Sequence, residues 1–592
     1  MLGKHSNGLP TKLFIKLLPP FMLISALGGL NSFVDSIIAG RTLGVAGMAP
    51  VGLYFPLSCI ILAIGSMLMG GSQIVCGKLL GKNDIEGTNG VFSLDIVLTV
   101  AVSVIFTLLA LTVPYGIASI LGAKGEIADG LVSYLRGMAF SFIPQMLSMQ
   151  VSTFLQIENA RKRTYIGTAS VTVMNAVLDV VFMRSMGLGL FGLGLSTSVS
   201  NLIYLLVLLP HFFRKGHSIR FSPKRIRLRD ALQIIALGSP GAALYACLFL
   251  RDVFLNHLLL DYCGATTVAA YSAFSSFSFI CYAVANAAGP DASLLISMYS
   301  GERDRTSMVE VMRAVFTKGL AASMVIVVLQ VVSARGLALL FFGRSDMEVV
   351  GQTAMAFRVL SLNVLLSTII NSLSSCYQSL GKVWMSLVTT VLEAFALVVA
   401  ASIFLVRAFG PIGCWLAFIV SSVLTLLVVF VCAAVKNRRP SLRTADIMML
   451  PADYGAPDSM RMDHTVDSME MVASISETIM SFCRERDVDG KRAYHLSLCM
   501  EEMAGNIIRH GFGDGKKHMI DVRVAVLPDS LILRLSDDCK PFNPREFMAM
   551  TTAKNSDMTG NFRNIGIRLV FAVARDITYN RIMGINILTI EQ

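Results

Sequence analysis

Charge is scarce in this sequence: only 15% of its 592 residues are Asp, Glu, Lys or Arg, against 54% hydrophobic ones. With a mean hydropathy of +0.66, that shortage excludes an ordinary water-soluble protein of this length. The eleven cysteines contain no Cys-x-x-Cys pair, so neither a paired-thiolate zinc site nor a disulfide framework is indicated. No Gly-x-x-x-x-Gly-Lys-[Ser/Thr] phosphate loop occurs, which removes the P-loop class of ATP motor. No signal-type cleavage site precedes the first apolar run, and the N-terminus is expected to be retained. The formal charge of +11 resides in short connections between apolar runs rather than on one amphipathic face, so nucleic acid is not expected as a partner.

What the sequence has is apolar helices, and it has them twice. Pro20 and Pro240, Gly44 and Gly264, and Gly81 and Gly301 recur at a spacing of 220; Arg161 and Lys382, and Gly192 and Gly413, recur at 221. Candidate spans lie at 13–38, 50–76, 91–115, 131–155, 164–186, 191–213, 233–259, 268–298, 310–333, 350–377, 384–407 and 411–435, each long enough to cross a bilayer. Six spans per half make both halves enter the lipid from the same side. The expected fold is therefore an all-α polytopic bundle of about twelve helices in two parallel six-helix repeats, 10–222 and 223–440, an architecture suited to two lobes rocking about a site between them.

Alternate connections are basic: Lys78 and Lys82, Arg161 to Arg163, the run from Arg214 to Arg229, Arg303 and Arg305, Lys382, and Lys436 to Arg443. The positive-inside rule puts these on the cytoplasmic face of the plasma membrane, with both termini. After Pro440 the composition turns polar; 441–464 reads as a linker, and 465–592 as a cytoplasmic α/β two-layer sandwich. Within it, helices are expected at 465–485, 489–510 and near 564–575, with strands at 520–526, 531–535 and 585–590.

An ionisable group at membrane depth costs on the order of 3 kcal/mol, so each one calls for a reason. Asp35, Asp95, Asp179, Arg251 with Asp252, and Glu393 are the cases. Asn175 and Asp179 stand four apart on one helix face, and Thr197 on the next span adds a hydroxyl. Oxygen ligands of mixed charge suit Na⁺ or a shuttled proton; the bland reading is interhelical hydrogen bonding alone. Arg251 and Asp252 are adjacent, so their side chains are expected to diverge by about 100° and find separate partners.

The runs Val34-Asp-Ser-Ile-Ile-Ala-Gly-Arg-Thr-Leu-Gly44, Gly71-Ser-Gln-Ile-Val-Cys-Gly-Lys-Leu-Leu-Gly-Lys-Asn-Asp84, Asn175-Ala-Val-Leu-Asp-Val and Gly189-Leu-Phe-Gly-Leu-Gly-Leu-Ser-Thr197 resemble the multidrug and toxic compound extrusion (MATE) family over about residues 10–436. The resemblance implies a cation-coupling site at Asp35, Asn175, Asp179 and Thr197. It also implies exchange of Na⁺ or H⁺ for small organic, often cationic, compounds.

In the tail, Glu502, Asn506 and His510 form an i, i+4, i+8 stripe; the strand Leu531-Ile-Leu-Arg-Leu-Ser runs into Asp537-Asp-Cys-Lys-Pro-Phe-Asn-Pro544; and Arg563-Asn-Ile-Gly-Ile-Arg-Leu-Val570 opens a helix. A carboxylate and an amide so spaced can orient water and hold Mg²⁺ beside phosphates, and a glycine at a helix start admits close approach. These blocks resemble the histidine-kinase-like ATPase fold, nearest its anti-sigma serine kinase branch. By that resemblance Glu502 is the catalytic base, Asn506 the Mg²⁺ ligand, Asp537 the acceptor for the adenine amino group, and Gly566 part of the phosphate-binding segment. Cys539 stands where that family usually has glycine.

The expectation is a cation-coupled (Na⁺ or H⁺) antiporter exporting small organic compounds across the plasma membrane. Its partners would be the lipid bilayer and a cytoplasmic regulatory protein, and its tail would bind ATP and Mg²⁺. The alternative is a membrane-bound signalling serine/threonine kinase whose helical part is the sensor. A lipid-linked precursor flippase is a third reading, for which the expected abundance of arginine in the spans is missing.

Overall fold

The computed structural model describes residues 8–82, 84–158, 160–213, 219–342, 347–451, 454–455, 458–513, 518–527, 530–548, 565–582 and 584–592. Side chains at 24, 27–49, 52, 161, 184, 265, 276, 565, 580 and 582 lie outside the described set. The chain divides between Leu450 and Pro451 into two compact units.

The first unit is helical: α1 (Leu9–Gly81), α2 (Ile85–Thr112), α3 (Pro114–Ile120), α4 (Glu126–Met138), α5 (Phe142–Ile157), α6 (Arg161–Val180), α7 (Gly189–Leu208), α8 (Leu228–Cys263), α9 (Ala265–Cys281), α10 (Ala283–Gly301), α11 (Arg305–Ala314), α12 (Leu320–Phe342), α13 (Met347–Ser379), α14 (Val383–Val391), α15 (Leu397–Phe409), α16 (Pro411–Asn437) and α17 (Thr444–Ile447). Among the described residues nine helical segments are long and apolar enough to cross a membrane. Several expected boundaries differ, among them the span expected at 131–155, which a 3-10 turn at Ala139–Ser141 divides into α4 and α5. Helical backbone continues through the first two expected spans as α1, and the span expected at 268–298 is two helices broken at Tyr282. Each half has its own apolar core: Leu131, Leu135 and Phe142 centre the first, Leu259, Phe357 and Trp415 the second.

The halves meet where backbone touches backbone. On α1, Gly71 lies against the Ile234 carbonyl and Gly81 against that of Met298; on the other side Gly238 meets the Met67 carbonyl and Gly301 that of Lys78. None of the four leaves room for a Cβ, so this seam of α1 with α8 and α10 requires glycine for close approach.

Chain beyond the last span stays bound to the bundle. Tyr377 donates to the Ile447 carbonyl at 2.7 Å and Asn437 to that of Asp446 at 2.8 Å. The Lys382 ammonium donates to Met448 and Met449 carbonyls at 2.9 and 2.7 Å. Met448, Met449 and Leu450 are buried, and burial, aided by nearby Lys436, lowers the Lys382 pKa to about 8.

The second unit is a two-layer α/β sandwich. Strands β1 (Arg461–Val466), β2 (Ile520–Val526), β3 (Leu531–Asp537), β4 (Asp576–Ile582) and β5 (Ile585–Glu591) form an antiparallel sheet in the order β1-β2-β3-β5-β4. Helices α18 (Met469–Arg484), α19 (Gly490–Gly511) and α20 (Ile565–Val573) accompany it. Alternate residues Ile520, Val522 and Val524 of β2 are buried with Ile475, Ile479, Leu496, Met500 and Met503 in one core, the pattern of a sheet with one face covered by helices. Asp489 caps α19 by accepting from the Lys491 and Arg492 amides.

Candidate functional sites

In the first half, α6 brings Asn175 and Asp179 onto one face and both are buried, Asp179 completely. The Asn175 amide donates to Asp179 Oδ2 at 3.4 Å, and the Ser196 hydroxyl of α7 donates to Asp179 Oδ1. Thr197, the hydroxyl singled out in the sequence, donates instead to the Leu193 carbonyl of its own helix at 3.3 Å. Ser196 was overlooked because a serine among Gly-Leu-Ser-Thr gives no signal of which hydroxyl faces α6. A single π-helical turn, Val181–Ser185, follows directly on α6; such turns recur at functional positions because they shift the side-chain register of a helix. Asp35 lies on α1, and its side chain falls outside the described residues.

The second half carries its own polar cluster. Glu393 sits in another π turn, Leu392–Ala396, and accepts from Ser367 at 2.7 Å; Asn363 donates to Ser367 at 3.2 Å and to the Tyr282 hydroxyl at 3.3 Å. Arg251 and Asp252 pair with each other as well as with separate partners of their own. Arg251 Nε and Nη2 both donate to Asp252 Oδ1, at 3.0 and 2.9 Å. The long guanidinium side chain folds back along the helix surface, and mutual neutralisation favours the pair where water is scarce. Tyr271 also donates to Asp252 Oδ1 at 2.6 Å, while the guanidinium lies 5.3 Å from the Phe418 ring centre. Asp95, completely buried, accepts from Ser72 at 2.7 Å and so joins α2 to α1.

In the tail, the sequence blocks converge. Register places Asp537 of β3 opposite Asn586 of β5. Asp537 Oδ1 accepts from the Asn586 amide at 2.8 Å and the Cys539 N–H at 2.9 Å. Burial raises the Asp537 pKa, and these donors oppose the shift. Asn586 is held in turn by the Tyr579 hydroxyl, which donates to its Oδ1 at 2.8 Å. Sequence reasoning missed Asn586, since a lone asparagine starting a strand carries no mark of its cross-strand partner. The Glu502 carboxylate of α19 lies against Gly566 in the first turn of α20, leaving no room for a Cβ. Asn506 follows Glu502 by one turn and is half-buried. Arg563 and Asn564 lie outside the described residues. The donor types suit Mg²⁺ with a nucleotide: Glu502 and Asn506 could supply oxygen and Asp537 an acceptor for an amino group.

Buried carboxylates in an apolar two-lobed bundle, joined in one chain to a two-layer α/β domain, define a polytopic membrane protein with an appended α/β domain. The family profile described as MatE matches residues 20–181 and 230–403, more than half the chain, and the chain belongs to that family. The profile described as histidine kinase-like ATPase domain matches residues 466–591, and the chain carries that domain at its C-terminal side. Among curated relatives, "Multidrug export protein MepA" of Staphylococcus saprophyticus is 25% identical over 257 residues, covering 42% of this chain and 57% of that protein. "Probable multidrug resistance protein YoeA" of Bacillus subtilis is 23% identical over 267 residues, covering 43% and 57%. The match thus spans little more than half the length of these relatives. A solved structure titled "Crystal structure of MATE in complex with MaL6" superposes with a TM-score of 0.67 at 21% identity, over 71% of this chain and 95% of that one. An "outward-facing conformation of a multidrug resistance MATE family transporter" gives 0.67 at 20% identity, over 71% and 94%. At these identities the likeness establishes the fold of the helical unit.

Proposed function

We propose that this chain is a cation-coupled antiporter that exports small organic, often cationic, compounds across the plasma membrane, both termini being cytoplasmic. Na⁺ or H⁺ is the coupling ion, and the tail is an ATP- and Mg²⁺-binding regulatory domain that communicates with a cytoplasmic protein partner. The observation that carries this reading is the buried Asp179 carboxylate, held by Asn175 and Ser196. A bare carboxylate in a bundle interior is costly, whereas one that takes up a cation or proton in one lobe arrangement and releases it in the other converts that cost into coupling. Asp35 joins the site by resemblance, and Thr197 lies one residue from the hydroxyl in contact. The glycine seam supports alternating access, because backbones in direct contact either pack closely or part as a unit.

Dye efflux from proteoliposomes is the test. Efflux that needs a Na⁺ or proton gradient and is lost in Asp35→Asn and in Asp179→Asn is the expected result; efflux driven by ATP without an ion gradient overturns the proposal.

The contact of Glu502 with Gly566 favours a second reading, a signalling serine/threonine kinase of the anti-sigma type with Glu502 as base, Asn506 holding Mg²⁺, and Asp537 reading adenine. Phosphate transfer from labelled ATP to a partner protein, abolished by Glu502→Ala in the full chain, supports it; absence of nucleotide binding removes it.

A further inference from the structure

At one end of the β2–β3 pair, His518 just before β2 and Asp538 and Cys539 just after β3 bring three metal-ligating side chains together. β2 and β3 pair antiparallel with Ile520 opposite Asp537, and continuing that register by two residues sets His518 opposite Cys539. Directly opposed residues bring their Cβ atoms to about 5 Å. His518 Nδ1 lies 2.7 Å from Asp538 Oδ1, and one ligand atom each of His518, Asp538 and Cys539 lies within 4.8 Å of the other two. His518 and Cys539 are buried and Asp538 is half exposed. The Phe512 ring packs 5.6 Å from the His518 ring, and the Cys539 thiol sits against Gly511. Among the described residues, His518 and Cys539 are the buried members of the cluster and Asp538 the exposed one.

Imidazole, thiolate and carboxylate form a donor set for zinc-class cations, and thiolate disfavours Mg²⁺ and Ca²⁺. Ligands about 2.0–2.3 Å from a tetrahedral centre stand about 3.3–3.8 Å apart, so 4.8 Å closes by side-chain rotation. The geometry points to a mixed-donor site for a zinc-class cation, formed by His518, Asp538 and Cys539, with water at the fourth position. Binding releases the thiol proton to solvent and leaves the oxidation state of every group unchanged. Because the Cys539 N–H donates to Asp537, the cation would brace the turn that holds Asp537.

Co²⁺ titration of the reduced, full-length protein in detergent tests this, since cobalt takes zinc sites and a thiolate ligand adds a near-ultraviolet charge-transfer band. The expected result is a band saturating at about one equivalent, reversed by Zn²⁺. Cys539→Ser should abolish it, and Asp538→Asn, at an exposed position that leaves the fold intact, should weaken affinity roughly tenfold or more. No band in the parent protein overturns the proposal. So does a band that persists in Cys539→Ser, which would belong to other cysteines, or an affinity unchanged in Asp538→Asn.

Discussion

Asn586 faces Asp537 across the β3–β5 pair and donates its amide to the carboxylate at 2.8 Å, itself oriented by Tyr579. With the Cys539 N–H, which donates to the same oxygen, it holds the carboxylate in place. Asn586→Ala leaves a buried acceptor with one donor fewer, a loss of about 1–3 kcal/mol. Fluorescent nucleotide binding to the full chain should weaken accordingly. An unchanged affinity would mean that Asp537 needs no such positioning.

Acid should separate binding from stability in the tail. Burial holds the Asp537 carboxyl above its ordinary value of 3.8. Between that value and the raised one the folded chain carries a proton that the unfolded chain has lost, so this group makes the domain more stable as pH falls and less stable as pH rises through the window. If Asp537 accepts the adenine amino group as proposed, binding needs the ionised carboxylate, so nucleotide affinity falls as pH falls through the same window. Paired titrations of binding and thermal unfolding check the opposed slopes, and both should flatten in Asp537→Asn.

The hydroxyl beside Asp179 distinguishes two neighbours. Ser196 donates to the carboxylate while Thr197 donates to Leu193. Ser196→Ala should lower gradient-driven dye efflux by about tenfold to a hundredfold, the order expected from losing a charged hydrogen bond of about 1.5–3 kcal/mol. Thr197→Ala should lower it less. The reverse order would give the role to Thr197.

Gly71 and Gly238 meet carbonyls across the seam between the halves. Gly238→Val forces the helices apart, an overpacking cost of about 1–3 kcal/mol. Transport should fall while nucleotide binding by the tail, a separate compact unit, stays as it was. Equal loss of both would point to global misfolding.

The sequence carried most of the architecture, because apolar length and period are what lipid and a one-sided sheet demand. α19, β2 and β5 lie within a few residues of their expected bounds. β1 and β4 went unread for one physical reason: both are edge strands, and edges tolerate polar side chains such as Arg461, Asp463 and Thr578 that erase the apolar alternation. Contacts fixed by tertiary register were equally silent. Nothing local pairs Asn586 with Asp537, selects Ser196 over Thr197, or turns Arg251 back onto Asp252.

The grip of Tyr377 and Lys382 on Ile447, Met448 and Met449 decides where a tail deletion can be made. A stop codon at the apparent end of the last apolar run, near Pro440, would strip three donors, Tyr377, Lys382 and Asn437, of their acceptors and uncover a corner that Met448 and Leu450 normally seal. The proposed transport by a chain shortened there would fail for reasons unrelated to nucleotide. A truncation ending after Leu450 keeps that corner whole and is the fair comparison for asking what the domain contributes.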